Sequence, residues 1–431
     1  MAVVRPFRAI RYARPAGADI TSLTAPPYDV VSDAERQLLL DRDPHNVIAL
    51  ELAEGALDPG APRNRYETAC VRWRAWNRDG VLALDQGPAF YVLEQCYEHG
   101  GRAVRRLGFL AAVDLEPFSA GIVLPHERTL PKATDDRLRM TRATAANLSP
   151  VFGLYADPQD HTGPLLAQAM EADPLAVATG LDSVRSTLWS VREAKAQAAL
   201  AGHLAGQRVY IADGHHRYTT ALAYRDERRA AAAGAGGSAP PAWDGVLMAL
   251  VRLGDPGLLV WPTHRVADAA EPFDAQAFWR RLEEHFDVRE APGHGAAPGP
   301  AAAGDVSFVV RTRGGQTRLA RLRPDIDHAA AFPPGTSPIW RSLDVAVLQE
   351  LVLWPLLGIH PDQPATLERL SFTKDADEAL AAAAEHDAAF VLNPPRLEQI
   401  AAVAEAGETM PQKSTYFHPK LPSGLVFRSL E

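Results

Sequence analysis

The sequence has little of what a secreted, membrane-embedded or disulfide-stabilised protein requires. Its 431 residues include only two cysteines, Cys70 and Cys96, too few for a disulfide framework or a cysteine-only zinc site. No stretch reaches the roughly 18 apolar residues that a membrane helix needs, and the N-terminus lacks an apolar leader segment. We therefore expect a cytoplasmic protein without membrane attachment, in which both cysteines are core thiols.

Positive charge is also scarce. The chain has 44 Lys and Arg residues against 53 Asp and Glu residues, which gives a formal net charge of −9. A general nucleic-acid-binding surface needs clustered Lys and Arg, so a nucleic-acid partner is disfavoured, although a local basic site stays open. The composition is otherwise that of a globular protein, and the length predicts two or three packed units.

Strand-like and helix-like patterns alternate along the chain, which predicts a mixed α/β (α+β) fold. Apolar spacing predicts helices over residues 64–76, 134–147 (with Thr134 as N-cap), 216–229, 343–354, 376–385 and 397–406. Runs rich in Val, Leu, Phe and Tyr predict strands over residues 89–97, 108–113, 208–212, 245–253 and 305–312. Residues 231–242, 291–304 and 332–338 have the composition of loops. We expect an N-terminal α/β region over residues 1–120, a nucleotide-binding core over 121–290 and a C-terminal α/β region over 305–431.

One motif lies where a predicted strand gives way to a helix, and it reads Asp213-Gly214-His215-His216-Arg217. The first turn of a helix has unpaired N–H groups and a partial positive charge, which together favour a bound anion. Gly214 would let the backbone approach that anion closely. His215, His216 and Arg217 add donors, and Arg217 suits a phosphate group. Asp213 could then ligate a Mg²⁺ ion that bridges to the phosphate.

Two other interpretations of this motif stay open. The residues could form a capped helix with polar side chains in water. The two histidines could also bind a metal, although adjacent residues on a helix point about 100° apart and rarely share one ion. An acid, a glycine, two histidines and an arginine in one unbroken run favour the anion site.

A second group of polar residues occupies residues 124–132, where Pro125 and Pro131 argue for a loop. It contains His126 and Glu127. The basic residues Lys132, Arg137, Arg139 and Arg142 follow, of which Arg139 and Arg142 share one helix face. We interpret His126 and Arg142 as candidate substrate ligands. The alternatives are a solvated loop carboxylate for Glu127 and a solvated helix face for the arginines.

The region before the C-terminus is unusually rich in hydrogen-bond donors. Lys413, Ser414 and Thr415 stand together in Met410-Pro-Gln-Lys-Ser-Thr-Tyr-Phe-His-Pro419. A lysine beside two hydroxyls can hold a phosphate or a carboxylate, so we expect these three residues to close the site over the substrate. A docking strand with ordinary surface polar residues is the alternative.

These motifs resemble known families. Asp213 to Arg217, with the Tyr and Ala that follow, resembles the signature of the ParB/sulfiredoxin superfamily, in which a strand, a turn and a helix hold nucleotide phosphates. The Asp-Gly-His-His-Arg form is similar to that of archaeal free-serine kinases, whereas sulfiredoxin has its catalytic cysteine where this chain has His215. Over its whole length the chain resembles domain-of-unknown-function family 1015, on the stretches Pro26-Pro-Tyr-Asp-Val30, Pro125-His-Glu-Arg-Thr129, Asn147-Leu-Ser-Pro150, Asp213 to Tyr218, Pro262-Thr-His-Arg265 and Met410 to Phe417.

The resemblance implies a ParB/sulfiredoxin-like core and a kinase-like phosphotransferase that uses ATP or ADP with Mg²⁺. Free L-serine is the first candidate for the acceptor. Glu127 would be the general base, with Asp213 and His216 as further catalytic candidates and Gly214 to Arg217 as phosphate ligands. A ParB-like regulatory protein that binds or hydrolyses nucleotide without kinase activity is the alternative, and the negative charge counts against its DNA-binding form. A nuclease would need a metal cluster that the sequence does not suggest.

Overall fold

The computed structural model describes residues 1–129, 131–232, 240–291 and 305–431. Most of the predicted loop at 231–242 (residues 233–239) and nearly all of that at 291–304 (residues 292–304) lie outside the described residues. The predicted loop at 332–338 is a loop in the structure except at its last residue, which begins the helix Pro338–Arg341.

The chain folds into two compact units. The first consists of Met1–Pro125, Thr129–Leu259 and Pro419–Glu431, and the second of His126–Arg128 and Val260–His418. Each unit is therefore built from segments distant in sequence. The division into three consecutive regions stays a prediction.

A ten-stranded mixed sheet forms the centre of the first unit. Neighbouring strands across it are, in order, Ala18–Asp19, Ala176–Thr179, Arg185–Val191, Phe90–His99, Arg102–Asp114, Gly245–Arg252, Val151–Tyr155, Val209–Asp213 and Val123–Leu124, with Val4–Arg5 also paired to Arg102–Asp114. Two small two-stranded sheets pair Ile10–Tyr12 with Leu82–Leu84 and Ala146–Asn147 with Arg428–Ser429. The strand Val209–Asp213 runs parallel to its neighbour Val123–Leu124 and antiparallel to Val151–Tyr155. Segments from distant parts of the chain therefore lie beside the strand that ends at Asp213.

The first unit also contains helices. They are Asp33–Arg42, Ile48–Glu51, Arg65–Arg78, Pro131–Thr144, Thr162–Ala169, Ala194–Leu204 and His215–Ala231, with short 3₁₀ turns at Thr21–Leu23, Tyr28–Val30, Phe118–Ala120 and Ala242–Asp244. The core consists of apolar side chains from strands and helices, among them Phe90, Phe109, Val151, Leu200, Val209, Ile211, Tyr218 and Leu250. Because Tyr218 is wholly buried in this core, the first turn of His215–Ala231 has a fixed position against the sheet.

The second unit contains a six-stranded antiparallel sheet. Its strands are, in order, Phe286–Glu290, Thr317–Leu322, Ser307–Thr312, Ala388–Leu392, His264–Ala267 and Leu370–Thr373. Leu259–Trp261 pairs with Tyr416–His418 in a separate sheet. The helices are Ala275–Leu282, Pro338–Arg341, Asp344–Leu348, Trp354–Leu357, Pro364–Leu367, Ala376–Ala382 and Leu397–Glu405, with a π-helical turn at Gln349–Leu353 and a 3₁₀ turn at Ala329–Ala331.

The mixed α/β class is confirmed, and most predicted elements are present within a few residues of their expected bounds. The helix predicted to start at an N-cap Thr134 is the clearest error, because it begins at Pro131 and ends at Thr144. Proline is favoured in the first helical position, where its missing N–H costs nothing. Cys70 and Cys96 are free but only half-buried. Among the described residues no helix combines the length and apolar character needed to cross a bilayer.

Candidate functional site

A sharp turn joins the strand Val209–Asp213 to the 17-residue helix His215–Ala231. The register against Val151–Tyr155 shifts between Ile211 and Asp213, which releases the end of the strand from regular pairing. Gly214 follows with a φ of +87°, in the left-handed region that glycine enters without steric cost. A β-carbon on Gly214 would lie 2.8 Å from Arg217 Nε, so glycine is also needed to seat the arginine. The predicted strand, glycine turn and helix are therefore confirmed.

Two cations hold the carboxylate of Asp213. Lys420 Nζ lies 2.5 Å from Oδ1, and Arg217 donates to Oδ2 at 2.5 Å. Burial alone would raise the pKa of Asp213, but Lys420 and Arg217 outweigh it and hold that pKa well below its usual range. The three side chains together carry a net charge of +1 at the start of a helix, where the backbone adds further positive potential.

Arg217 is fixed from several sides. Besides Asp213, its guanidinium donates to the carbonyl of Pro150, which belongs to the Asn147-Leu-Ser-Pro150 motif. Burial opposes the charge on Arg217, but Asp213 and then Asp29 raise its pKa, so the group stays a cation. The arginine is therefore oriented in advance, which lowers the entropic cost of gripping a ligand.

Arg137 and Tyr28 add a second layer to this charged region. The Arg137 guanidinium lies 4.0 Å from the centre of the Tyr28 ring, and its Nη1 is 3.2 Å from the buried carboxylate of Glu51. Burial raises the pKa of Tyr28 to about 12, against the opposing effect of Arg137 and Arg217. Arg137, Glu51 and Arg217 also line a small cavity of about 40 Å³. Tyr28 and Asp29 both raise the pKa of Arg217 and therefore favour its charged form.

The two histidines of the motif differ in exposure. His215 is buried, whereas His216 is half-buried. One turn further, the Tyr218 hydroxyl donates to the carbonyl of Glu116 at 2.9 Å and accepts from the N–H of the same residue at 3.0 Å. This double hydrogen bond anchors the first turn of the helix, so its N–H groups keep a constant direction.

A second group of the predicted residues meets within the other unit. His126 Nε2 lies 2.9 Å from Thr415 Oγ1, and the N–H of Met410 donates to the carbonyl of His126 at 2.8 Å. Ser414 is fully buried and donates to the carbonyl of Pro411. His126 therefore contacts Met410 and Thr415, and the buried Ser414 bonds within its own segment. That Lys413, Ser414 and Thr415 close a site over the substrate stays a prediction.

Arg265 is the central cation of that second group. It is buried, and its Nη2 donates to the carbonyls of Gln412 at 3.2 Å and Lys413 at 3.1 Å. Burial lowers the pKa of Arg265 to about 9, while the neighbouring carboxylate of Glu127 opposes that decrease. Glu127 is thus a half-buried carboxylate next to a buried guanidinium. His264 and Arg265 are both buried at the start of the strand His264–Ala267.

Arg142 and Lys413 differ from the other predicted ligands. Arg142 bonds to Glu227 at 2.9 Å on an exposed surface, and Lys413 is exposed with a φ of +54°. Their role as substrate ligands stays a prediction. The second cation beside Asp213, next to Arg217, is Lys420, which the sequence did not single out. In the sequence, the one feature that could have pointed to Lys420 is its position in His418-Pro-Lys420, just past the motif at 410–417.

The donor set fits an anion better than a bare metal ion. Both oxygens of Asp213 are already held by cations, so Mg²⁺ would have to displace Lys420 or Arg217 to bind there. A phosphate, by contrast, would add the negative charge that the +1 cluster lacks. The role of Asp213 as a metal ligand stays a prediction.

Residues 4–346 match a protein family described as a protein of unknown function (DUF1015). A search of curated proteins finds no match. Among solved structures, a free serine kinase variant in complex with ADP has 11% identity and a TM-score of 0.36, covering 72% of this chain and 87% of the kinase.

Two other solved structures are similar to the same degree. A conserved hypothetical protein from Pyrococcus furiosus has 14% identity and a TM-score of 0.34, with 75% of this chain and 95% of that protein covered. SbnI from Staphylococcus aureus, with a C-terminal truncation, has 13% identity and a TM-score of 0.34, with 74% of this chain and 86% of that protein covered. Likenesses of this size carry no argument about function.

Proposed function

We propose that this chain, which belongs to the DUF1015 family, is a phosphotransferase that moves a phosphoryl group from ATP or ADP to the hydroxyl of a small molecule. Mg²⁺ would enter with the nucleotide. Free L-serine is the first candidate for the acceptor, because the Asp-Gly-His-His-Arg motif resembles that of free-serine kinases. The reaction would take place in the cytoplasm, where nucleotides are available.

One observation carries the proposal: Gly214 opens a long helix directly beside a cluster of net positive charge. Arg217 and Lys420 flank Asp213 at 2.5 Å, and the first-turn N–H groups of the helix add their own attraction for an anion. Phosphoryl transfer depends mostly on positioning and on neutralising the charge of the phosphate oxygens. A fixed turn with two oriented cations meets that requirement.

Asp213 has a positioning role in this proposal. It holds Arg217 and Lys420 in place, and its lowered pKa keeps it ionised throughout the physiological range. When a phosphate arrives, each cation can share its charge between Asp213 and the phosphate oxygens. His216 would add a further donor at the same turn.

Glu127 would accept the proton of the acceptor hydroxyl. The acceptor oxygen would form a bond to the terminal phosphorus as the bridging oxygen of the nucleotide departs, and the proton would pass to the Glu127 carboxylate. The neighbouring guanidinium of Arg265 is attracted to the Glu127 carboxylate and would hold it near the acceptor. His126 and Thr415, in contact with each other, would hold the acceptor molecule.

Nucleotide labelled in its terminal phosphate, a mixture of small hydroxyl metabolites including L-serine, and Mg²⁺ would test this proposal. We expect label in one phosphorylated metabolite, identified by mass spectrometry. Glu127→Gln should abolish the transfer while nucleotide still binds, and Glu98→Gln, a matched change at an exposed strand position, should leave it intact. Release of inorganic phosphate with no labelled metabolite would identify a nucleotide hydrolase instead.

A further inference from the structure

A cluster of three metal-binding side chains lies in the first unit, in a part of the chain that the proposed phosphotransferase chemistry does not use. It consists of Asp157, His161 and His203, whose ligand atoms all lie within 4.8 Å of one another. Asp157 precedes the helix Thr162–Ala169, His161 is its N-cap residue, and His203 lies in the last turn of Ala194–Leu204. These two helices pack against each other, so the cluster marks the point where one begins and the other ends.

The distances match those of a tetrahedral zinc site. Asp157 Oδ1 lies 3.2 Å from His161 Nδ1 and 3.3 Å from His203 Nε2. Zinc bonds of about 2.0–2.1 Å at a tetrahedral angle separate neighbouring ligand atoms by roughly 3.4 Å. The two imidazole rings have centroids 5.1 Å apart and are inclined by 36°, and one ligand nitrogen of each ring lies within 4.8 Å of the other and of an Asp157 oxygen.

His203 supplies an independent indication. Its Nε2 atom is buried and, among the residues that the structure describes, makes no hydrogen bond, although Asp157 Oδ1 is only 3.3 Å away. A buried ring nitrogen at this distance from a carboxylate but outside hydrogen-bond geometry is costly unless something else engages it. A cation bound to both atoms would satisfy the nitrogen.

The carboxylate is held ready for such a cation. Asp157 Oδ2 accepts from the N–H of Thr162 at 2.9 Å and from its hydroxyl at 2.8 Å, which fixes the rotamer and leaves Oδ1 towards the histidines. Oδ1 accepts from the backbone N–H of His161 at 2.9 Å, so hydrogen bonds to both oxygens orient the carboxylate before any ion binds.

We propose that Asp157, His161 and His203 form a binding site for a divalent transition metal ion, with zinc as the best-fitting ion. Two imidazoles and one carboxylate are typical zinc ligands, whereas Mg²⁺ prefers oxygen ligands alone. Three protein ligands leave a fourth position for water or for an anionic group. The ion would also connect the start of one helix to the end of the other, so metal binding would stabilise the first unit.

The proposal is tested on the full-length chain after removal of any purification tag, by titration with Zn²⁺ and, separately, with Co²⁺. We expect one tightly bound ion per chain, a visible absorption of Co²⁺ typical of tetrahedral coordination, and a melting temperature that rises by several degrees with Zn²⁺ and falls with chelator. His161→Ala should weaken binding at least as much as the roughly 10- to 100-fold cost of losing even an outer-shell partner. His161 is exposed, so this variant should fold normally.

The matched control is His99→Ala, which removes an exposed histidine at the end of Phe90–His99 and should leave the affinity unchanged. His203→Ala should abolish binding, and circular dichroism would establish that it folds. If the unmodified chain binds no Zn²⁺, or if His161→Ala binds it as tightly as the unmodified chain, the three residues are only a set of His–Asp ion pairs. Neither result bears on phosphoryl transfer, because the labelling experiment uses Mg²⁺ and other residues.

Discussion

Replacing Gly214 with alanine tests whether the turn before the helix is built for a ligand or only for chain reversal. At a φ of +87°, an alanine costs roughly 1–2 kcal/mol relative to glycine. Its β-carbon would also lie 2.8 Å from Arg217 Nε, so the guanidinium must move away from Asp213. A hydrogen bond to a charged group contributes about 1.5–3 kcal/mol, and we therefore expect a total loss of about 3 kcal/mol in the free energy of unfolding.

Gly80 provides the matched control. It has a φ of +73° just after the helix Arg65–Arg78, and a β-carbon there would meet no atom within 4 Å. Gly80→Ala should therefore cost only the roughly 1–2 kcal/mol of the backbone conformation. Urea denaturation of both variants, followed by fluorescence, measures how much each change lowers the free energy of unfolding. The difference between the two losses is the part that is due to Arg217.

Nucleotide affinity separates the structural effect from the functional one. With Arg217 displaced, Gly214→Ala should bind ADP roughly 10- to 100-fold more weakly, while Gly80→Ala should bind it normally. Titration calorimetry measures both affinities directly. Equal affinities for the two variants would refute the argument that this turn contacts the phosphate, even if the stability values agree with expectation.

Three further changes follow from the same structure. Lys420→Met should weaken ADP binding, and it should also reduce the stability that the protein gains as pH rises through the acid range. The reason is that the lowered pKa of Asp213 stabilises the folded state above the unfolded-state pKa, and this stabilisation is lost as pH falls. Acid titration followed by circular dichroism measures this pH dependence. Burial and, second to it, the charge of Arg265 lower the pKa of His264 to about 4. Because the unfolded chain takes up the proton at a higher pH than the folded chain, the free energy of unfolding should fall by about 2–3 kcal/mol as pH drops from ~6.5 to ~4. His264→Gln should remove that pH dependence in urea denaturation. Arg137→Ala should cost about 3–5 kcal/mol because it leaves a buried carboxylate without its cation, whereas Arg142→Ala, which breaks an exposed pair, should cost less than about 1 kcal/mol; thermal denaturation compares the two.

The strand, turn and helix at 209–231 could be predicted because the relevant interactions are local. A β-rich run, a glycine and a helix-forming run follow one another, and the structure needs each of them where it stands. The same reasoning was wrong about the helix that begins at Pro131. Thr134 is a good N-cap residue, but proline at the first helical position and packing against His215–Ala231 extend the helix towards the N-terminus.

Contacts between distant residues could not be predicted. Lys420 meets Asp213 across 207 positions of sequence, and the sequence pattern favoured Lys413 because it stands beside two hydroxyls. Among the arginines of one helix, the sequence favoured Arg142, but the buried carboxylate of Glu51 selects Arg137. Which face of a helix is buried depends on neighbours that only the tertiary structure supplies.

The same limit explains the candidate metal cluster. His161 and Asp157 are near each other in sequence, but the spacing to His203 matches no common zinc motif. The packing of Thr162–Ala169 against Ala194–Leu204 creates the site. A sequence pattern could identify at most two of its three ligands.

A crystal structure of the chain with ADP and Mg²⁺ would show whether the turn at Gly214 binds the nucleotide phosphate. We expect the terminal phosphate of ADP within hydrogen-bond distance of backbone N–H groups at 215 and 216, with the Arg217 guanidinium on the same oxygens. A nucleotide bound elsewhere, with the Asp213–Lys420–Arg217 cluster unchanged and without a phosphate contact, would contradict it.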